Sequence, residues 1–374
     1  MVEPLCPYFG KCGGCTAQHI AYELQLENKK NQLASAINNV IPIDQIKIFH
    51  DKEYNYRNRM DFIFHPRGLG LREKGNWKSI VDIDKCSISD EKLNELLLEI
   101  RTFFKSVDFF DIRRNVGTFR YAVIRTPKND SSISFVLNED SSKTGDAIDK
   151  IKEFAKKSIA KNIVVTYVPK NTDMSISNEF FVVKGSDNLI EEYLGNKFHY
   201  SVQGFFQNNS AMAEQMHAYV NEMLGKYETK NHELLDLYCG VGTFGINNAN
   251  LFKNVVMVEA DKNCIDSAEL NIKENKIHNA KAILLDAMNL KKLNLGIGSE
   301  LFVITDPPRS GMHPKTIDEL RKLKPKIIVY ISCNIEQLKK DLIKFSEYEI
   351  KSAALFDLFP QTPHAEGIVE MVRK

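Results

Sequence analysis

Ile327-Ile328-Val329-Tyr330-Ile331-Ser332-Cys333-Asn334 is a short, β-branched, apolar run that stops abruptly at a thiol. An unbroken run of this length, without helical periodicity, fits a fully buried strand. Ligands of open parallel α/β sheets bind beyond the carboxyl ends of the strands, so Cys333 stands where chemistry would occur. Free cysteines are more often small buried hydrophobes. The catalytic reading therefore rests on company: stretches around Leu234, Asp306 and Glu366 are expected to deliver polar residues to the same rim.

Working outward, strands alternate with helical segments from about His232 onward, with strands expected at 233–237, 255–259, 281–285, 301–306 and 327–332. Such alternation produces a parallel, doubly wound α/β sheet. A further pair at 350–357 and 368–372 would extend one edge. The first turn reads Asp236-Leu237-Tyr238-Cys239-Gly240-Val241-Gly242-Thr243-Phe244-Gly245, a G-x-G-x-x-G pattern that lets a ligand approach the backbone closely. The next strand ends in Glu259, placed for hydrogen bonds to a ribose diol. Both NAD and S-adenosylmethionine (SAM) satisfy this much. The turn Thr305-Asp306-Pro307-Pro308-Arg309 favours SAM, because a rigid acidic-Pro-Pro turn has no counterpart in hydride transfer.

Two methyl-transfer chemistries remain open. An acidic-Pro-Pro turn can hold an exocyclic amine, and then no covalent nucleophile is needed. Here, however, Cys333 ends the next strand and Glu366 precedes the last one. Carbon 5 of uracil is a poor nucleophile until a thiolate adds to C6, and a base must afterwards remove the C5 proton. A thiol plus a carboxylate is what that reaction requires. Cys333 is the expected nucleophile, Glu366 the base, and Asp306 a group that orients the uracil edge. A third reading, from another class, is a non-catalytic RNA-binding module that retains the fold.

The 374 residues exceed one usual core, so two or three domains are expected. Lys plus Arg is 50 against 49 for Asp plus Glu, so any basic surface must be local. The start, Met1 to Leu5, has no charged and apolar leader pattern, and no apolar run is long enough to span a bilayer, so a cytoplasmic protein is expected. In that compartment the seven cysteines stay reduced or bind metal.

Cys6, Cys12 and Cys15 lie on a glycine-rich loop with the spacing C-x5-C-x2-C, and Cys86 is the remaining cysteine before the C-terminal half. Three clustered thiols and one remote one suit an iron-sulfur cubane better than zinc, which usually takes two close pairs; zinc and unliganded thiols stay open. Residues 1–50 are expected to form this loop and an amphipathic helix over 16–40 that packs against it. Residues 51–205 read as a separate α+β domain, rich in interleaved basic and aromatic residues that include Arg67, Arg72, Trp77, Lys78, Arg113, Arg120 and Tyr121. Such residues bind phosphates and stack unpaired bases, or form a salt-bridged surface. Residues 206–374 would be the SAM-dependent methyltransferase domain.

The ordered set of Phe205-Phe206-Gln207, Leu235 to Gly242, Glu259, Asp306 to Arg309, Ser332-Cys333-Asn334 and His364-Ala365-Glu366 resembles the RNA uracil-C5 methyltransferases that act on tRNA or large-subunit rRNA. The resemblance covers nearly the whole chain. It implies a Rossmann-like SAM-dependent fold and a 4Fe-4S cluster on Cys6, Cys12, Cys15 and Cys86. It implies further that Gln207, Tyr238, Gly240, Gly242, Thr243, Glu259, Asp286 and Asp306 bind SAM or border it, with Asp286 near the adenine. Two departures stand out. Many members begin with a small β-barrel RNA-binding domain, whereas this sequence starts at the cysteines, and Thr243 stands where some members have Asn. The expected partner is a flipped-out loop uridine in tRNA or rRNA. The protein is expected to act as a monomer with no membrane association.

Overall fold

A computed structural model describes residues 2–293, 295 and 301–374. The chain forms two compact units: one comprises Met1–Tyr22, Lys52–Glu191 and Ser201–Ser210, the other Glu23–Asp51, Glu192–Tyr200 and Ala211–Lys374.

The second unit is built on a sheet whose described strands are β1 (Lys47–Phe49), β2 (Glu233–Leu237), β3 (Asn254–Glu259), β4 (Ala280–Leu284), β5 (Leu301–Thr305), β6 (Ile327–Ser332), β7 (Tyr348–Phe356) and β8 (Glu366–Arg373). Their order is β1-β7-β8-β6-β5-β2-β3-β4. Strands β2 to β6 pair in parallel, as the βα alternation requires. Every residue of β5 and β6 is buried, which accounts for their unbroken apolar sequences. From β2, the chain winds to β3 and β4 on one side and later to β5 and β6 on the other. The order therefore reverses between β2 and β5, the kind of crevice in which ligands of open α/β sheets bind.

The final pair does more than extend an edge. β8 inserts antiparallel between β6 and β7, and short β1 pairs with β7 as the outermost strand on that side. The helix Tyr22–Ala36 also differs from expectation. From Glu23 on it belongs to this unit, and Leu33, Ala34 and Ile37 join the core of the sheet rather than packing on the cysteine loop. The cause is apolar complementarity at Gly367, where an added Cβ would lie 3.0 Å from Leu33 Cδ1. Residues 23–51 thus fold with the C-terminal sheet, although the sequence grouped residues 1–50 as one segment.

The first unit carries a seven-stranded sheet ordered Asn76–Asp82, Gly68–Glu73, Arg59–His65, Phe119–Arg125, Ser132–Asn138, Asn162–Val168 and Phe180–Lys184. All pairs are antiparallel except Ser132–Asn138 with Asn162–Val168. Helices Glu91–Phe103 and Thr144–Ala155 contribute to a core rich in phenylalanine, including Phe62, Phe64, Phe104, Phe135 and Phe154. Asp90 caps the first of these by accepting from Leu93 N at 2.7 Å. Among the described residues no helix is long and apolar enough to cross a membrane.

Candidate active site

Parallel strands β2, β3, β5 and β6 all finish at one rim, and the antiparallel β8 begins there. Ser332 pairs with Gly367 across β6 and β8, so the next step in this register sets Cys333 opposite Glu366. Directly opposed positions in an antiparallel pair share a face. Electrostatics shows the same convergence. Burial raises the Cys333 thiol, the charges of Glu366 and Asp306 raise it further, and Arg309 opposes them, for a value of about 11. Glu366 is 4% exposed, and burial together with Asp306 holds its carboxyl well above the usual range, again against Arg309. Burial pushes Asp306 up to about 7. Asp306 keeps part of its surface open, so water screens it more than Glu366 and its shift is the softer of the two.

The loops around these groups are tied together by hydrogen bonds. Asp306 N donates to Leu237 O at 3.3 Å, joining the acidic-Pro-Pro turn to β2. Asn334 Nδ2 donates to Arg309 O at 2.9 Å and Arg309 Nη2 lies 3.1 Å from His364 Nδ1, so one arginine links the loops beyond β5, β6 and β7. Desolvation and the neighbouring cations Arg309 and Lys29 lower the His364 pKa, favouring a neutral imidazole that accepts from Arg309. The segment leading to Glu366 is anchored on the other side by helix Tyr22–Ala36. Lys29 Nζ meets Asp357 Oδ1 at 2.7 Å and Phe359 O at 3.2 Å, and Gln25 Nε2 donates to Gln361 Oε1 at 3.0 Å. Lys29 and Asp357 are both buried, so each charge depends on the other.

The glycine turn is shaped for close approach. Tyr238, Gly240 and Gly242 all have left-handed backbone, at φ of 60°, 53° and 88°. A Cβ on Gly240 would meet nothing within 4 Å, which leaves open space above the turn, whereas one on Gly245 would strike Met257 Sδ at 2.4 Å. Thr243 begins the helix Thr243–Asn248, with Gly242 as its N-cap. The Glu259 carboxylate accepts from Gly240 N at 3.2 Å, Ala260 N at 2.7 Å and Asp261 N at 3.0 Å, which fixes it beside the turn. Asp286 lies two residues beyond the end of β4 and caps the following turn by accepting from Met288 N at 2.9 Å.

Of the expected site residues, all but Gln207 and the four N-terminal cysteines fall in this unit. Gln207 follows exposed Phe205 and buried Phe206, and its carbonyl accepts from Asn58 Nδ2 at 3.3 Å within the first unit. Sequence reasoning passed over Asp236. It is 1% exposed, Oδ2 accepts from Gly245 N at 2.8 Å, Oδ1 has no partner, and burial pushes the carboxyl up to about 8. An acidic residue inside an apolar strand, nine positions before the glycine that receives it, was the available signal.

In the first unit, Cys6, Cys12, Cys15 and Cys86 line a single pocket. The loop is held by Cys6 N donating to Gln18 Oε1 at 3.0 Å and by Gly13 N donating to Arg72 O at 2.9 Å. Asn94 brackets Cys86, accepting from its N at 2.8 Å and donating to its O at 3.1 Å. Burial, with the neighbouring thiols, raises Cys12 and pushes Cys15 up to about 12. Among the described residues no group of three or more His, Cys, Asp or Glu side chains is placed so that it could hold a metal ion.

Residues 21–374 match the tRNA (Uracil-5-)-methyltransferase family. The chain is 34% identical over 390 residues to an uncharacterized RNA methyltransferase of Caldanaerobacter subterraneus, covering 99% of this chain and 85% of the relative. It is 31% identical over 389 residues to the tRNA (uracil(54)-C(5))-methyltransferase of Pyrococcus abyssi, covering 99% and 86%. The crystal structure of the P. abyssi enzyme in complex with S-adenosyl-L-homocysteine superposes with a TM-score of 0.79 at 27% identity, over 100% of this chain and 87% of that one. With nearly the full length matched and the sheet, glycine turn and thiol-carboxylate rim in place, the chain belongs to the tRNA (uracil-5-)-methyltransferase family, the RNA uracil-C5 methyltransferases.

Proposed function

We propose that this protein transfers a methyl group from SAM to C5 of an unpaired uridine in tRNA, with Cys333 as covalent nucleophile and Glu366 as base. The observation that carries this reading is the β6–β8 register, which sets the thiol opposite the carboxylate beside Asp306. Tyr238, Gly240, Gly242, Thr243, Glu259, Asp286 and Asp306 suit SAM: an open glycine turn, a fixed carboxylate for the ribose and further acidic groups for a cation. Gln207 joins them on the strength of the family motif. When bound, SAM supplies an electrophilic methyl on a positively charged sulfur.

Cys333 Sγ adds to C6 of the uracil, and the electron pair of the C5–C6 bond moves toward C5 and the C4 carbonyl. C5 then takes the methyl as its bond to the sulfonium sulfur breaks, the electron pair staying on that sulfur and S-adenosylhomocysteine being the leaving group. Glu366 removes the C5 proton, the C5–C6 double bond re-forms, and the sulfur leaves as thiolate. Once ionised, a carboxylate whose pKa is raised is the stronger base for this step, and burial supplies that rise at Glu366. Asp306 orients the uracil edge. The target must be unpaired or extruded, at a cost of a few kcal/mol. We place the reaction in the cytoplasm, carried out by a monomer.

Nuclease digestion and mass spectrometry of RNA incubated with protein and SAM is expected to show 5-methyluridine. A methylated adenine or guanine instead would move the assignment to amine methylation through the Asp306 turn.

The four thiols lining one pocket favour a 4Fe-4S cluster. A single zinc bound at ~2.3 Å would draw four sulfurs to within roughly 4 Å of one another. A cubane holds its ligands farther apart, and the one pocket shared by all four thiols is the observation that supports it. Cys12 and Cys15, raised by burial and by neighbouring thiols, would ionise on binding iron, which removes that penalty. Anaerobically purified protein is expected to absorb visible light and to carry about four irons per chain, as for a cubane on four thiolates. Stoichiometric zinc would overturn the assignment.

A further inference from the structure

The first unit contains a cavity of about 440 Å³, within the range of ligand pockets (~300–1,000 Å³), that neither the thiol pocket nor the methyl-transfer chemistry uses. Its lining is cationic. Arg67, Arg72, Lys78, Arg113 and Arg120 contribute five positive side chains against Asp111 and Asp173, in a chain whose net charge is only +1. The two acidic groups are already engaged. Asp173 accepts from Arg72 at 2.6 Å and from Tyr121 Oη at 2.5 Å, and Asp111 lies 3.7 Å from Arg114. By contrast, exposed Arg67, Lys78 and Arg113 have no carboxylate partner among the described residues.

Two further observations point to a ligand. Arg120 is 2% exposed, and its terminal nitrogens donate to the carbonyls of Pro169 and Thr172, yet its Nε has no partner. Its guanidinium also lies 4.0 Å from the Phe110 ring centre, so a buried cation whose donors are not all satisfied forms part of the cavity wall. Trp77, the sole tryptophan, does not itself line the cavity but is 53% exposed between two residues that do, Arg72 and Lys78. Arg72 sits over its ring at 5.4 Å and Lys78 at 5.3 Å. An exposed indole costs solvation and offers a stacking face, and flanking cations are suited to the phosphates of whatever stacks there.

We infer that this cavity binds an unpaired nucleotide of the RNA substrate, distinct from the methylated uridine, with its base against Trp77 and its phosphates on Arg67, Lys78 and Arg113. The inference rests on the RNA-methyltransferase reading of the protein and adds a second point of attachment. Flexible aromatic-and-cation sites of this kind bind single strands with little sequence preference and strong salt dependence. The site therefore supplies affinity and orientation, leaving the choice of uridine to the methylation site.

The test uses the sole tryptophan as reporter. Fluorescence of the full-length protein is titrated with a single-stranded RNA oligonucleotide, with inorganic phosphate and with polyglutamate, and a Trp77→Phe variant shows that the signal belongs to this ring. Saturable quenching by RNA alone is expected. The combined variant Arg67→Ala/Lys78→Ala/Arg113→Ala, altered only at exposed positions, should bind transfer RNA about 10–100-fold more weakly, with a salt slope reduced by about two for three lost phosphate contacts. Wild-type affinity and slope in that variant, or equal quenching by phosphate or by polyglutamate, would overturn the proposal. Formation of 5-methyluridine by the unaltered protein is scored separately. Its absence would count against the enzymatic reading, whereas unchanged RNA binding in the triple variant counts only against the pocket.

Discussion

Cys333→Ala is expected to abolish methyl transfer to RNA, with single-turnover rates lower by on the order of 10⁶-fold, the scale of loss when a covalent nucleophile is removed. The reason is electronic rather than geometric. Without a sulfur bonded to C6, C5 of uracil has too little electron density to attack a methyl sulfonium, and no nearby group replaces it. Of the other thiols near the rim, Cys239 and Cys264, both are raised by burial and by neighbouring carboxylates, Asp236 and Glu259 for the first and Asp261 and Glu259 for the second. The variant should still bind RNA and SAM, since the exchange removes one atom from a half-buried position. In the wild type, the rate of adduct formation is expected to rise with pH across the neutral range. With the thiol at about 11, thiolate is the minor form there, and each step upward increases it. Radiolabelled methyl transfer measured from about pH 6 to about pH 9 checks both points. Full activity in the alanine variant, or a flat profile, contradicts the assignment.

Glu366→Gln should stop the reaction later. Addition and methylation need the thiol, whereas release needs a base for the C5 proton, so this variant is expected to accumulate protein covalently joined to methylated RNA. Turnover should fall by about 10²–10⁴-fold, the usual contribution of a positioned base. Denaturing electrophoresis after incubation with RNA and SAM would show a band that is lost on nuclease treatment. Gln is nearly isosteric and uncharged, close to the state that burial already favours for Glu366, so the fold should tolerate it. Rapid turnover without adduct would show that another group takes the proton, and Asp306, up to about 7 at the same rim, would be the next to replace.

Much of the sheet was readable locally. Strand 327–332 falls where its apolar run begins and ends, because residues buried on both faces leave little room for polar ones, and 233–237 is found as well although buried Asp236 interrupts it. Short β1 was missed, since Lys47-Ile48-Phe49 is too brief to show a period, and only its pairing with Ala354, Leu355 and Phe356 makes it a strand. The helix Tyr22–Ala36 has few apolar residues among many charges, so its sequence identified a helix without saying which core would receive it. The buried Lys29–Asp357 pair joins positions 328 residues apart, and nothing local to either announces the other.

By itself the sequence determined which chemical groups this protein carries and which of them end strands, because burial and backbone geometry impress a period on neighbouring residues. That Cys333 and Glu366 share one rim was decided by tertiary structure. A carboxylate at the start of a strand would lie at the far edge of an all-parallel sheet. Here β8 runs antiparallel between β6 and β7, so its first residue arrives where its neighbour β6 finishes, opposite the thiol.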